Sequence, residues 1–227
     1  MSGKLILVGT PIGNIEDITI RALKCLRSCD AIVAEDTRRT YYLLKHYHIS
    51  KKLLSYGVHN AERSAWKILN MLKTGANLCL VTDSGMPCIS DPGRLLVDAC
   101  WNNGIEIDVV PGPSALTAAI SASGLPSKKV IFLGFLPRGK KLRRVIRTLL
   151  KEEALVVFFE SAQRILQTLR EILSILGERD IFVGREMTKA FQQFFRGKLS
   201  EAIEFFSKGS ARGEFTVILS LRKGELA

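Results

Sequence analysis

Long uninterrupted apolar runs are missing from this sequence: none of its hydrophobic stretches approaches the roughly 20 residues of a bilayer span. Met1 to Lys4, leading into LILVG, offers neither a charged leader nor a small-residue cleavage site, so a cytoplasmic chain with no membrane partner is expected. No C-x-x-C pair occurs. The five cysteines (Cys25, Cys29, Cys79, Cys88 and Cys100) fall mostly inside apolar segments and read as reduced core residues. Three histidines in 227 residues argue against a histidine-based centre, and no metal is expected. Neither G-x-G-x-x-G nor G-x-x-x-x-G-K-[ST] is found, which removes the common dinucleotide fingerprint and the standard nucleotide triphosphatase. Repeats and low-complexity segments are absent as well.

What is present is a hydrophobic fraction of 47%, ample for packed cores, and a formal net charge of +11. The charge is uneven. Residues 1–120 hold 13 basic and 11 acidic side chains, residues 121–227 hold 20 and 11. That asymmetry points to a polyanionic partner met mainly by the C-terminal half, although solubility accounts for part of it.

Short runs rich in Ile, Val and Leu alternate with amphipathic stretches, the pattern of an α/β protein built on a parallel-rich sheet. In the first half, strands are expected at 5–8, 31–34, 78–81 and 107–110. Helices are expected at 19–28, 37–46, 61–72, 94–101 and 115–123, with Asp17 and Ser114 as candidate caps. The turn-forming stretch Gly124 to Lys129 separates two α/β domains, 1–124 and 125–227. The second has more adjacent strands, so a mixed sheet is expected there. Within it, RGKKLRRVIRTLLK carries seven basic residues and no acidic one. A helix over 140–150 would bury Leu142, Val145, Ile146, Leu149 and Leu150. Lys140, Lys141, Arg143, Arg144 and Arg147 would then form a cationic outer face for a phosphate backbone or, more blandly, a solvated one.

Three strand ends are chemically unusual: Gly9-Thr10-Pro11-Ile12-Gly13-Asn14 after LILV, Thr82-Asp83-Ser84-Gly85-Met86-Pro87 after LCLV, and Pro111-Gly112-Pro113-Ser114-Ala115 after IDVV. Ligands of open α/β sheets gather at such ends, where glycine lets a backbone come close and proline fixes a turn. Any one of them alone reads equally well as a tight turn.

The blocks LVGTPIGNIEDIT, AEDTRRT, VTDSGMPCISDPG, VVPGPSAL, FLGFLPRGK, FFESAQR, REMTK and GEFTVIL stand in this order along nearly the whole chain. In them the sequence resembles the ribosomal RNA small subunit methyltransferase I family of the tetrapyrrole methylase superfamily. The resemblance implies two α/β domains with S-adenosylmethionine in a cleft between them, 2′-O-methylation of a cytidine in the decoding centre of 16S rRNA, and homodimerisation. The partner is then small-subunit rRNA or the small ribosomal subunit. Mapped here, the cofactor should meet Pro11, Asp83, Ser84, Gly85, Met86, Ile89, Ser114 and Ala115, with Phe159, Phe215, Thr216 and Val217 contributing from the second domain.

Methyl transfer from a sulfonium needs alignment above all, and a ribose hydroxyl gains from a base or from a charge that stabilises the alkoxide. Candidates are Glu35 and Asp36 in AEDTRRT, and Glu186 and Lys189 in REMTK. The bland alternatives are a helix-capping carboxylate pair and a solvated surface lysine. Arg38, Arg39 and Arg185 are placed to neutralise phosphates or to hold a carboxylate ionised, and His59 and Asn60 to bind a base or ribose or to cap the next helix. The chain departs from the family pattern at Gly57 and Gln163, where histidines are usual, and at Gln192 and Gln193, where a glutamate is usual. The family's small C-terminal extension is expected to be missing. Two rivals therefore stand beside the rRNA enzyme: a methylase of a porphyrin precursor, and a non-catalytic RNA-binding assembly factor.

Overall fold

The computed structural model describes residues 2–57, 61–209 and 212–222, and of 61–63 the backbone alone. His59 and Asn60 lie outside the described residues. The chain divides into two compact units, Met1–Ser114 and Ala115–Ala227.

The first unit is a five-stranded sheet in the order β3-β2-β4-β1-β5, formed by β1 (Lys4–Val8), β2 (Ala31–Ala34), β3 (Leu53–Ser55), β4 (Leu78–Val81) and β5 (Glu106–Val110). Every pairing is parallel. AIVA and LCLV are buried at all four positions, as parallel strands covered on both faces must be. β1 alternates between two cores: Leu5 packs with Val33, Leu78 and Leu96, while Ile6 and Val8 pack with Ile32, Cys79 and Val110. β3 was not anticipated, because Leu53-Leu54-Ser55 is too short to show a period.

The helices of this unit are α1 (Ile20–Ser28), α2 (Thr37–His46), α3 (Ala61–Lys73) and α4 (Arg94–Asn102). Asp17 does not cap α1. Asn14 takes the Glu16 N–H at 3.0 Å and closes a short 3-10 turn over Ile15–Asp17, which leaves Thr19 to accept from Ala22 N at 3.0 Å. All five cysteines are free, and Cys29, Cys79 and Cys100 are buried.

The second unit holds α5 (Ala115–Ser123), β6 (Val130–Phe135), α6 (Gly139–Thr148), β7 (Leu155–Ser161), α7 (Ile165–Leu176), β8 (Asp180–Arg185), β9 (Gln193–Lys198), α8 (Leu199–Ser207) and β10 (Glu214–Ser220). Its sheet runs β6-β7-β10-β8-β9, with β6 parallel to β7 and the other pairs antiparallel. One face is covered by α6, α7 and α8 over Phe158, Phe215, Val217 and Leu219. On the other, Ala119 of α5 packs with Leu155, Val157, Phe182 and Ile218. α5 therefore belongs to this unit, and the division falls at Ser114/Ala115, ahead of the Gly124 to Lys129 break. That break marks where the chain enters β6; the core has already changed at α5.

α6 departs from expectation at its end. Leu142, Ile146 and Leu149 are buried, but residues Leu149–Lys151 tighten into a 3-10 turn, which rotates Leu150 outward to 49% exposure.

Candidate active site

In the first unit the three glycine-proline loops meet. Thr10 and Gly85 exchange backbone hydrogen bonds, Thr10 N to Gly85 O at 2.9 Å and Gly85 N to Thr10 O at 3.1 Å. The Thr10 hydroxyl donates to Thr82 O at 3.0 Å. The first and third loops touch through bare backbone: a Cβ on Gly9 would lie 2.7 Å from Gly112 Cα and from Met86 Sδ, and one on Gly112 would lie 2.9 Å from Gly9 Cα. Gly85 sits at φ 82°, a left-handed conformation that suits glycine. Pro11 follows the Thr10 bridge. Ser84 is exposed and Ile89 is 53% exposed, so their side chains face outward.

A group of carboxylates borders these loops. Glu35, just past β2, accepts from the Thr82 hydroxyl at 2.7 Å and from Asp83 N at 3.5 Å. Asp36 N donates to Asp83 Oδ1 at 3.1 Å, and Arg39 Nε lies 3.6 Å from Asp83 Oδ2. Asp36 itself accepts from Arg38 N at 2.9 Å and grips the Arg38 guanidinium through both oxygens, at 3.1 and 2.8 Å. So Asp36 caps α2, while Glu35 turns toward the loops instead. The Arg38 hydrogen bond holds the Asp36 carboxyl below its ordinary range. Burial pushes Asp83 up. Burial, with Glu35 nearby, pushes Asp91 up to about 6.

Asp91 was missed by sequence reasoning. It stands in SGMPCISDPG, but nothing in that string marks one loop carboxylate as desolvated; only folding it against Glu35 and Thr82 does. The two threonines were missed for the same reason. Thr10 and Thr82, both buried, act as the pins between loops.

In the second unit, Lys189 Nζ bridges Glu186 Oε1 at 2.9 Å and Glu214 Oε2 at 3.0 Å. Glu186 also accepts from Glu214 N at 2.9 Å. Burial alone would raise Glu186, but hydrogen bonds from Lys189 and Glu214 N outweigh it and leave the carboxyl below its usual value. Burial likewise opposes the Lys189 charge, and the two carboxylates more than restore it. Glu186 and Thr188 adopt φ 48° and 65°, so this turn is a locally strained one. Arg185 is committed locally, donating to Arg212 O at 2.7 Å and Gln193 Oε1 at 3.2 Å.

Among the second-unit residues expected near cofactor, Phe159 packs with Phe132 and Phe135 at ring distances of 5.1 and 5.6 Å. Thr216 pairs with it across the strands. Phe215 and Val217 point the other way into the helix-covered core, leaving only their backbone for a ligand. Lys140, Lys141, Arg143, Arg144 and Arg147 of α6 are exposed, and four of them, with Thr148, line an open depression of about 490 Å³. Arg143 Nε is 3.6 Å from Glu171.

Residues 4–203 match the family described as Tetrapyrrole (Corrin/Porphyrin) Methylases. Over 218 residues the chain is 59% identical to a ribosomal RNA small subunit methyltransferase I of Thermotoga maritima, covering 96% of this chain and 98% of that protein. The chain belongs to the ribosomal RNA small subunit methyltransferase I family. As a methyltransferase of this family it shares its fold with diphthine synthase, at TM-score 0.74 and 14% identity over 96% of this chain and 90% of that one. A uroporphyrin-III C-methyl transferase from Thermus thermophilus complexed with S-adenyl homocysteine aligns at TM-score 0.67 and 18% identity, over 96% and 97%. Among the described residues, no helix is long and apolar enough to cross a membrane, and no cluster of three or more His, Cys, Asp or Glu side chains could hold a metal.

Proposed function

We propose that this methyltransferase uses S-adenosylmethionine to methylate the ribose 2′-hydroxyl of a cytidine in the decoding centre of 16S rRNA, presented as rRNA or as the small ribosomal subunit. The observation that carries the reading is the meeting of three bare-backbone loops beside Glu35, Asp83 and Asp91, in a chain of this family. The curated relatives are named for ribosomal RNA small-subunit methylation.

The residues fit the cofactor's chemistry. Gly9 and Gly112 let the first and third loops pack backbone to backbone, which brings the three strand ends together, and Asp83 offers a carboxylate to the amine and hydroxyl donors that such a molecule carries. Pro11, Asp83, Gly85, Met86 and Ser114 of the first unit would hold it. Bound there, S-adenosylmethionine supplies a methyl group already activated as a sulfonium.

The protein's own part is alignment and proton management. Asp91, at about 6, is poised near neutrality to take the proton of a ribose hydroxyl, directly or through Thr82 and Glu35. Asp36 and Glu186 are weaker bases, since their cations hold them ionised; their role is to orient Arg38 and Lys189. Lys189 stays charged and can stabilise a developing alkoxide. The exposed cations of α6 guide the phosphate backbone.

The test is one assay with methyl-labelled S-adenosylmethionine and three substrates: small ribosomal subunits, naked rRNA and a porphyrin precursor. Label in either RNA sample, mapped to a cytidine 2′-O position, is the expected result. Label in the porphyrin alone would overturn the reading, and intact RNA binding without label would replace it by an assembly factor.

A further inference from the structure

α2 carries a face that neither core packing nor the carboxylate cluster explains. Its buried stripe is Thr40 and Leu44, so the adjacent Tyr41 and Tyr42 project away from the core. They are 54% and 70% exposed, and their rings meet edge to face at 6.0 Å. Two neighbouring tyrosines in water keep a large apolar area uncovered. The other exposed side chains of the helix are Arg38, Arg39, Lys45 and His46, and no residue of α2 is acidic.

Helical spacing makes these groups one surface. Tyr42 follows Arg38 by four positions and Arg39 by three, and Lys45 follows Tyr41 by four. Arg38 is gripped through two nitrogens by Asp36, which fixes the plane of a guanidinium whose side chain is still 86% exposed. An exposed planar cation one helical turn ahead of an exposed aromatic pair is equipment for stacking nucleobases, not for tracking phosphates alone. Asp36, the cap of this helix, has its backbone N–H bonded to Asp83, so the surface starts beside the site loops.

We infer that Tyr41, Tyr42 and Arg38 form a stacking platform for unpaired bases of the RNA that flank the methylated nucleotide. The inference rests on the RNA reading above and deepens it: the substrate segment is single-stranded where it crosses α2. Duplex RNA hides its base faces and would gain only the charge of Arg39 and Lys45.

The test uses the full-length protein and a mixed-sequence oligoribonucleotide, single-stranded or annealed to its complement. The double variant Y41A/Y42A should bind the single strand about ten-fold or more weakly, given one or two lost stacks, and the duplex about as well as wild type does. Y41F/Y42F, which keeps both rings, should bind like wild type. S-adenosylmethionine titration should be unchanged in both variants, which also shows that they fold. Single-strand affinity within two-fold of wild type in the alanine variant overturns the platform, as does an equal loss in the phenylalanine variant. A change of oligomeric state on sedimentation would instead make the face a self-association surface. Failure of wild type to bind either RNA would bring down the RNA reading itself and the platform with it.

Discussion

Gly85 is constrained by its backbone, at φ 82°, and not by crowding: a Cβ there would meet Ile12 Cγ2 at an ordinary contact distance of 3.4 Å. A β-branched side chain tolerates that backbone poorly. Gly85→Val should therefore lose cofactor binding in calorimetric titration while RNA affinity stays near wild type; an unchanged titration would remove the loop from the cofactor site. Asp91 makes a second prediction, from its proton. Its carboxyl moves from an ordinary 3.8 to about 6 on folding, so between those values the native state holds a proton that the unfolded chain has released. Stability then falls as pH rises through that window. Thermal melts should show wild type losing more between pH 4 and 6 than Asp91→Asn does, and parallel curves would show that the carboxyl is not desolvated. Residues of this kind were hidden in the sequence. Gly85 could be read as a loop glycine from its motif, whereas the state of Asp91 depends on burial and on Glu35, 56 positions away in the chain.

Elements were easier to read than their joints. AIVA and LCLV announced buried parallel strands, and the three-to-four residue spacing of Leu142, Ile146 and Leu149 announced α6. The Leu149–Lys151 tightening was not legible, because α and 3-10 turns share one composition. Nor was the link between the FFESAQR and GFLPRGK blocks. Glu160, with a fully buried side chain, accepts from Thr168 at 2.7 Å and pairs with Arg164 at 3.3 Å; Arg164 in turn donates to Leu136 O at 2.7 Å. One ion pair thus ties the start of α7 to the loop ahead of α6. Arg164→Met leaves the Glu160 charge buried with fewer partners, and urea unfolding should show a loss of about 3–5 kcal/mol. A loss below about 1 kcal/mol would mean that the pair is well hydrated in solution.

Across the whole molecule, charge and chemistry are divided between the two units. The three glycine-proline loops lie in the nearly neutral half, and the exposed cations of α6 in the basic one. Raising salt from about 50 to about 200 mM should weaken RNA binding on the order of a hundredfold if the five α6 cations each meet a phosphate, with cofactor affinity barely moved. Reversing Arg144 and Arg147 to glutamate, with Arg143 spared for its contact to Glu171, should flatten that salt slope; an unaltered slope would return α6 to a solvated face. The two-unit plan was visible in the alternation of apolar runs, but its dividing point was not, since α5 declares its allegiance only by packing on β8 and β10. The strand order of the first unit carries a last consequence, for the timing of synthesis. β1 is made first but lies between β4 and β5, so Leu5 waits for Leu78 and Ile107. At about 5–20 residues per second that is a delay of several seconds, with LILV unpaired on both edges as the chain leaves the ribosome. The three loops cannot meet until β5 docks, so their joint arrangement forms abruptly, as the last step in completing the first unit.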